Sequence, residues 1–225
     1  MEMEIVLPEE VAVMTLPEVA FFPQALLPLH IFEPRYRQML KDVLASDRLF
    51  AVAGLNASAE EEAFEPPHRI ATIGIVRACQ KNDNGTSNLL LQGLARVEFL
   101  EIVREEPYRT VRMRALSSAP GADLDENARL RTSVARLLSL KQRLGASVSA
   151  EFTQFLKTVE DPETFVDLAA FSLCESPEFK QRLLETLDVN RRLQLFNEHL
   201  RRDIDAIKLR KKLQGPLGDD SIPNN

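Results

Sequence analysis

Three histidines, two cysteines and a few clustered charges are the groups in this 225-residue chain that could do chemistry. His30, His68 and His199 stand far apart, whereas zinc sites draw at least two ligands from a short local motif, so the spacing gives no metal site. Cys79 and Cys174 lack C-x-x-C spacing and read as small core residues of a reduced chain. Cys79 with His30 is the nucleophile–base pairing the sequence leaves open. No G-x-S-x-G elbow and no Gly-Lys dipeptide occurs, which removes the commonest hydrolase arrangement and the phosphate-cradling nucleotide loop. The acidic run from Glu60 to Glu62 reads as a solvated loop. These residues predict no catalytic group, no cofactor and no metal.

The remaining candidates are for binding. Glu33 and Arg35 flank Pro34 and could anchor a bound peptide; the plainer reading has Glu33 supporting a helix start and Arg35 pairing with a nearby carboxylate. Phe21, Phe22, Leu26 and Leu27, with Phe64 in the next loop, could form an apolar docking surface for polypeptide. The first four cannot all face inward from a proline-bent segment. Arg96, Arg112 and Arg114 make the best basic stripe and keep an RNA-binding reading open, although Arg109 points the other way by strand alternation. A formal charge of −6 argues against nucleic acid as the default partner.

The elements that must position these residues follow from periodicity. Apolar runs at Val11–Leu16, Leu26–Phe32, Arg48–Leu55, Ile70–Lys81, Ser87–Val103 and Thr110–Leu116 predict about six short strands. Asn84-Gly85 marks a hairpin turn, and Gly74 and Gly93 mark bulges or bends. Tyr36, Met39, Leu40, Val43 and Leu44 form one apolar helical face, with Pro34 suited to the first turn. Glu33-Pro34 is therefore a strand-to-helix corner. Ser117 to Asn127 is a small, polar linker, and helical periods follow. Caps at Asp161, Ser176 and Asp188 open the last three helices, the final one reaching about Leu213. The expected fold is α+β: a β-barrel subdomain over residues 1–116, a helical bundle over 117–214 ending in a long helix, and a flexible tail over 215–225. The acidic start lacks a secretory signal, and the longest uncharged stretch, Val19 to Phe32, holds two prolines and is too short to span a bilayer. A cytoplasmic location without membrane contact is expected.

Three blocks bear a family resemblance. "TLPEVAFFPQALLPLHIFEPRYRQMLKDVLASDRLFAVAGL", "IGIVRACQKNDNGTSNLLLQGLARVEFLEIV" and "FKQRLLETLDVNRRLQLFNEHLRRDI" resemble, in order, the opening, central hairpin and closing helices of the N-terminal domain of Lon proteases. The resemblance spans about Val11 to Ile207 and implies a PUA-like barrel followed by a helical bundle. In a full Lon protease the long helix leads to ATPase and serine-lysine peptidase domains; here the chain stops, so a stand-alone, non-catalytic recognition module is expected. It would bind unfolded or exposed apolar polypeptide, as an adaptor or holdase for a separate protease or chaperone. The alternatives are an RNA-binding PUA-like module and a small-molecule sensor with a pocket between barrel and bundle.

Overall fold

Short alternating runs broken by proline and glycine become six strands in the computed structural model, which describes residues 6–57, 59, 65–145 and 149–214. They are β1 (Glu10–Leu16), β2 (Leu26–Ile31), β3 (Leu49–Gly54), β4 (Ile70–Lys81), β5 (Ser87–Arg104) and β6 (Thr110–Leu116). The sheet runs β2-β5-β4-β3-β1-β6, and β6 also pairs with β5. The 18 residues of β5 make both pairings possible. One edge holds β4, from Ile70 opposite Glu98 to Lys81 opposite Ser87. The other takes β2 along Ser87–Gln92 and β6 along Arg96–Arg104. Five strands thus close a ring, and β2 lies outside it, bonded among the described residues on its β5 side. The sequence predicts six strands in a barrel; the difference is that one is an annex.

Strands β1 and β3 are parallel, which requires a crossover, supplied by β2 and α1 (Pro34–Leu44). The link from β1 to β2 lies tight against β5. Gly93 exchanges backbone hydrogen bonds with this link, Gly93 N to Ala25 O and Gln24 N to Gly93 O, both 2.9 Å. A Cβ there would strike the carbonyl oxygen of Phe22. The register slips at the same place: Ile73 faces Ala95 but Gly74 faces Gly93, so Leu94 is bulged.

Alternation gives β3 two buried faces. Ala51 joins Val13, Ile73, Val97 and Val111 inside the ring. Phe50 and Val52 point outward into a second apolar cluster with Met14 and with Tyr36, Met39 and Val43 of α1. That cluster continues into the helices α2 (Leu124–Arg143), α3 (Ala150–Thr158), α4 (Pro162–Leu173), α5 (Pro177–Glu185) and α6 (Val189–Gln214), through Leu138, Phe165, Leu183 and Phe196. One apolar core therefore crosses from strands to helices.

The helix starts follow capping chemistry. Side chains of Asp123, Ser149, Asp161 and Ser176 each accept the amide N–H three residues on. Asp188 takes the N–H of Arg191 at 2.8 Å. The 26 residues of α6 run about 39 Å at 1.5 Å per residue. Past Ile204 that helix is mostly exposed, including Leu209 and Leu213. None of the described helices is long and apolar enough to cross a membrane. Phe64 and the predicted tail over 215–225 lie outside the described residues.

Candidate functional site

The Glu33–Pro34 corner opens onto a cleft of about 890 Å³ whose lining includes Thr15, Glu33, Arg35, Glu65, Glu106 and Arg109. Pro34 begins α1 and Glu33 is its cap residue by position, but the Glu33 side chain makes no capping hydrogen bond. It turns instead to Arg35, whose Nε donates to Glu33 Oε2 at 2.9 Å. Arg35 also meets Glu65 at 2.7 Å and lies 4.5 Å from the centre of the Tyr36 ring. The Glu65 hydrogen bond, opposed by burial, raises the Arg35 pKa and holds the guanidinium charged. Arg109 is buried beneath, donating to Glu65 O at 2.6 Å and to Thr15 Oγ1 at 3.3 Å. The corner arginine is thus clamped between carboxylates, while Glu33 commits its side chain to Arg35 and not to capping the helix start.

The apolar candidates divide by burial. Phe21 and Phe22 are core residues, which corrects their reading as a docking surface. Phe21 meets Phe171 of α4 edge-to-face, with ring centres 6.1 Å apart, and its carbonyl accepts from Thr72 Oγ1 at 2.6 Å. Prolines bend this segment inward against β5, so its aromatic pair seals the strand–helix junction. Leu27 is half-buried against the same core. Leu26 is 51% exposed, and Phe32, just past the strand, is 62% exposed. With Pro28 and His30 they follow one parity, so the even positions of β2 form an outward strip while Ile31 faces in. His30 Nδ1 lies 2.7 Å from Asn88 Oδ1 and its ring stacks on Phe32. Sequence reasoning missed Phe32 and His30 as parts of this strip, although the i, i+2 spacing from Leu26 carried the signal.

The basic stripe is broken up by the fold. Arg96 is buried, which corrects its reading as a surface anchor. Its guanidinium grips Asp167 of α4 with two bonds of 2.7 Å, and its Nε donates to Leu184 O at 3.0 Å. Arg192 of α6, also buried, donates to the same carboxylate at 2.7 Å and to Thr186 O at 2.9 Å. Glu163 completes the charge balance, 3.3 Å from Arg96 and 3.4 Å from Arg192. These groups join strand to helices. Arg112 and Arg114 stay accessible but are paired, Arg112 with Glu10 and Glu101, and Arg114 with Glu98. The signal for Asp167 was present: it is a lone charge within the apolar run Phe165–Phe171.

Cys79 and His30 form no pair; the histidine that approaches a cysteine is His199, with Nε2 4.0 Å from Cys174 Sγ. Asp203 Oδ2 lies 3.6 Å from the same nitrogen, and Lys141 holds that carboxylate at 2.6 Å. A relay needs the acid and the nucleophile on different ring nitrogens. Burial also pushes the Cys174 thiol up, away from thiolate. The cluster is structural packing, with Phe179 stacked on the imidazole at 4.3 Å. Among the described residues no cluster of three His, Cys, Asp or Glu is placed to hold a metal.

Burial lowers the His199 pKa, against the pull of Asp203. Below about pH 6.5 the unfolded chain therefore takes up this proton before the folded one, and stability falls with the pH. Thermal melts followed by circular dichroism from about pH 7.5 to 5 should show Tm declining less steeply for His199→Gln than for the unaltered chain. Parallel declines would mean that His199 titrates alike in both states.

Three comparisons with known proteins bear on this geometry. Residues 10–202 match the family described as the ATP-dependent protease La (LON) substrate-binding domain. The Lon protease of Desulfosudis oleivorans is 25% identical over 216 residues, 95% of this chain and 26% of that protein. The Lon protease of Geobacter metallireducens is 27% identical over 220 residues, 96% and 27% respectively. The chain thus spans about a quarter of the length of these relatives. Among solved structures, the N-terminal domain of Mycobacterium avium complex Lon protease superposes with a TM-score of 0.66 at 18% identity, covering 85% of this chain and 97% of that one. A Lon N-terminal domain protein from Xanthomonas campestris superposes at 0.59 and 18%, covering 82% and 95%. At such identities the superpositions speak to fold alone.

Proposed function

This chain belongs to the LON substrate-binding domain family, and from that premise we propose that it is a non-catalytic recognition module for unfolded or exposed apolar polypeptide. The observation that carries the reading is the outward strip of β2. Leu26, on a strand whose other edge has no strand partner among the described residues, and Phe32, just past that strand's end, both stand more than half exposed. An extended client can lay apolar side chains along Leu26, Pro28 and Phe32 and align its backbone with β2, a common mode of peptide capture. The Arg35–Glu65 corner supplies a fixed, charge-balanced rim at the start of α1. Acting on a client without altering it, the protein would serve as an adaptor or holdase for a separate protease or chaperone, in a reducing cytoplasm where Cys79 and Cys174 stay free. An RNA surface is disfavoured: Arg96 is internal, and phosphates would have to displace carboxylates from Arg112 and Arg114.

Fluorescence anisotropy with a permanently unfolded protein, reduced and amidomethylated lactalbumin, tests the proposal. Leu26→Ser with Phe32→Ser should weaken binding about tenfold or more, since each removes apolar area that a client would cover. Binding by the unaltered chain should survive several hundred millimolar salt, as an order of magnitude, because few counterions are released. Equal affinity of the variant, with Tm unchanged, would remove the strip from the site.

A further inference from the structure

A second groove, of about 510 Å³, lies between α1 and the β4–β5 hairpin. Its chemistry is the reverse of the corner cleft. Leu40, Leu44 and Cys79 supply apolar walls, and Arg37, Lys41 and Lys81 supply charge, with no carboxylate in the lining. None of these three cations has an ion pair among the described residues, in a chain whose net charge is −6. Arg37 is placed by the turn: Gly85, at φ +80°, carries no side chain, and the Arg37 guanidinium lies where a Cβ would sit. Lys41 follows one helical turn later on the same face, and Lys81 stands opposite at the end of β4.

We infer that this groove docks an acidic peptide segment in which carboxylate and apolar residues alternate. The spacing sets the pattern. Positions 37 and 41 on a helix are about 5–6 Å apart between Cβ atoms, close to the i, i+2 separation of an extended chain at about 3.3 Å per residue. Acid-x-acid in an extended peptide therefore meets Arg37 and Lys41 together, and the intervening apolar side chains point the opposite way, toward the hairpin wall at Cys79. From Pro34 to Leu44 the helix rises about 15 Å, room for four or five extended residues. The lining holds no aromatic ring on which a base could stack, which favours peptide over single-stranded nucleic acid. The outward β2 strip has the opposite parity to Ile31, which packs in the cluster shared with α1, so the groove is a separate surface from the one proposed above.

Three probes test the groove on the full chain: rhodamine-labelled Glu-Leu-Glu-Leu-Glu, its Lys-Leu-Lys-Leu-Lys twin, and labelled octauridylate. The acidic peptide should bind at least about tenfold more tightly than its basic twin, with affinity falling as salt rises. Lys41→Glu with Lys81→Glu should abolish that preference, and both substitutions sit on exposed positions. In the unaltered chain, the acidic peptide should slow alkylation of half-exposed Cys79 while buried Cys174 stays unreactive throughout. Equal binding of both peptides, or an unchanged Cys79 rate at saturation, overturns the proposal. Tighter octauridylate binding that the same substitutions remove replaces it with a nucleic-acid site. Neither result touches the β2 strip, whose test uses different residues.

Discussion

Asp167→Ala should destabilise the fold by about 3–5 kcal/mol, the usual cost of removing one partner from a buried ion pair. Asp167 is 1% exposed and accepts from two arginines that are themselves buried. Its loss leaves Arg96 and Arg192 facing each other with Glu163, at more than 3 Å, as their remaining carboxylate. Burial already works against the charge of Arg192, and Asp167 is the first group that offsets it. Urea denaturation should show a lower midpoint at constant slope. Asp167→Asn keeps the volume and some hydrogen bonding but not the charge, and should fall between the two. A midpoint unmoved by Asp167→Ala would mean that the guanidinium groups reach water once released, and that the junction is held by apolar contacts alone.

Tyr36→Ala comes next, at about 3–5 kcal/mol by analogy with buried aromatic truncations. Tyr36 is buried on the inner face of α1, and its hydroxyl accepts the N–H of Thr15 at 3.2 Å and donates to Thr15 O at 3.3 Å. It fills the space between helix and β1 and fixes their register. Tyr36→Phe removes only the hydroxyl and should cost about 0.5–1.5 kcal/mol, the net worth of a typical hydrogen bond. The ratio of the two losses is the diagnostic. If Phe costs as much as Ala, the polar tip and not the ring seats the helix.

Much of this was legible in the sequence, for local reasons. Period-two alternation, the Asn84-Gly85 turn and the Asp161, Ser176 and Asp188 caps depend on neighbours a few residues away, and each appears in the structure as expected. Arg96 was misplaced because alternation tells which residues share a face of β5, not what covers that face. Its cover comes from residues 67 to 88 positions later in the chain. Phe21 and Phe22 were misplaced for a related reason: the bend that turns them inward depends on contact with Gly93, about seventy residues away. The approach of His199 to Cys174 left no local trace, since residues on α6 and just past α4 meet only after the bundle packs.

The salt-bridged junction has a consequence for dissecting the molecule. Strands give way to helices after Leu116, which invites a cut there. A fragment ending at that point would keep Arg96 beside the Phe22 ring, 5.7 Å away, without its counterion. It would also bare Phe21 where Phe171 had covered it. The complementary fragment would inherit Asp167 with Arg192 and a naked apolar face. Each half carries one side of a neutralised contact that the other completes. The visible seam is therefore where the two halves depend on each other most, and useful truncations belong at the exposed end of α6, beyond Ile204, where little is buried.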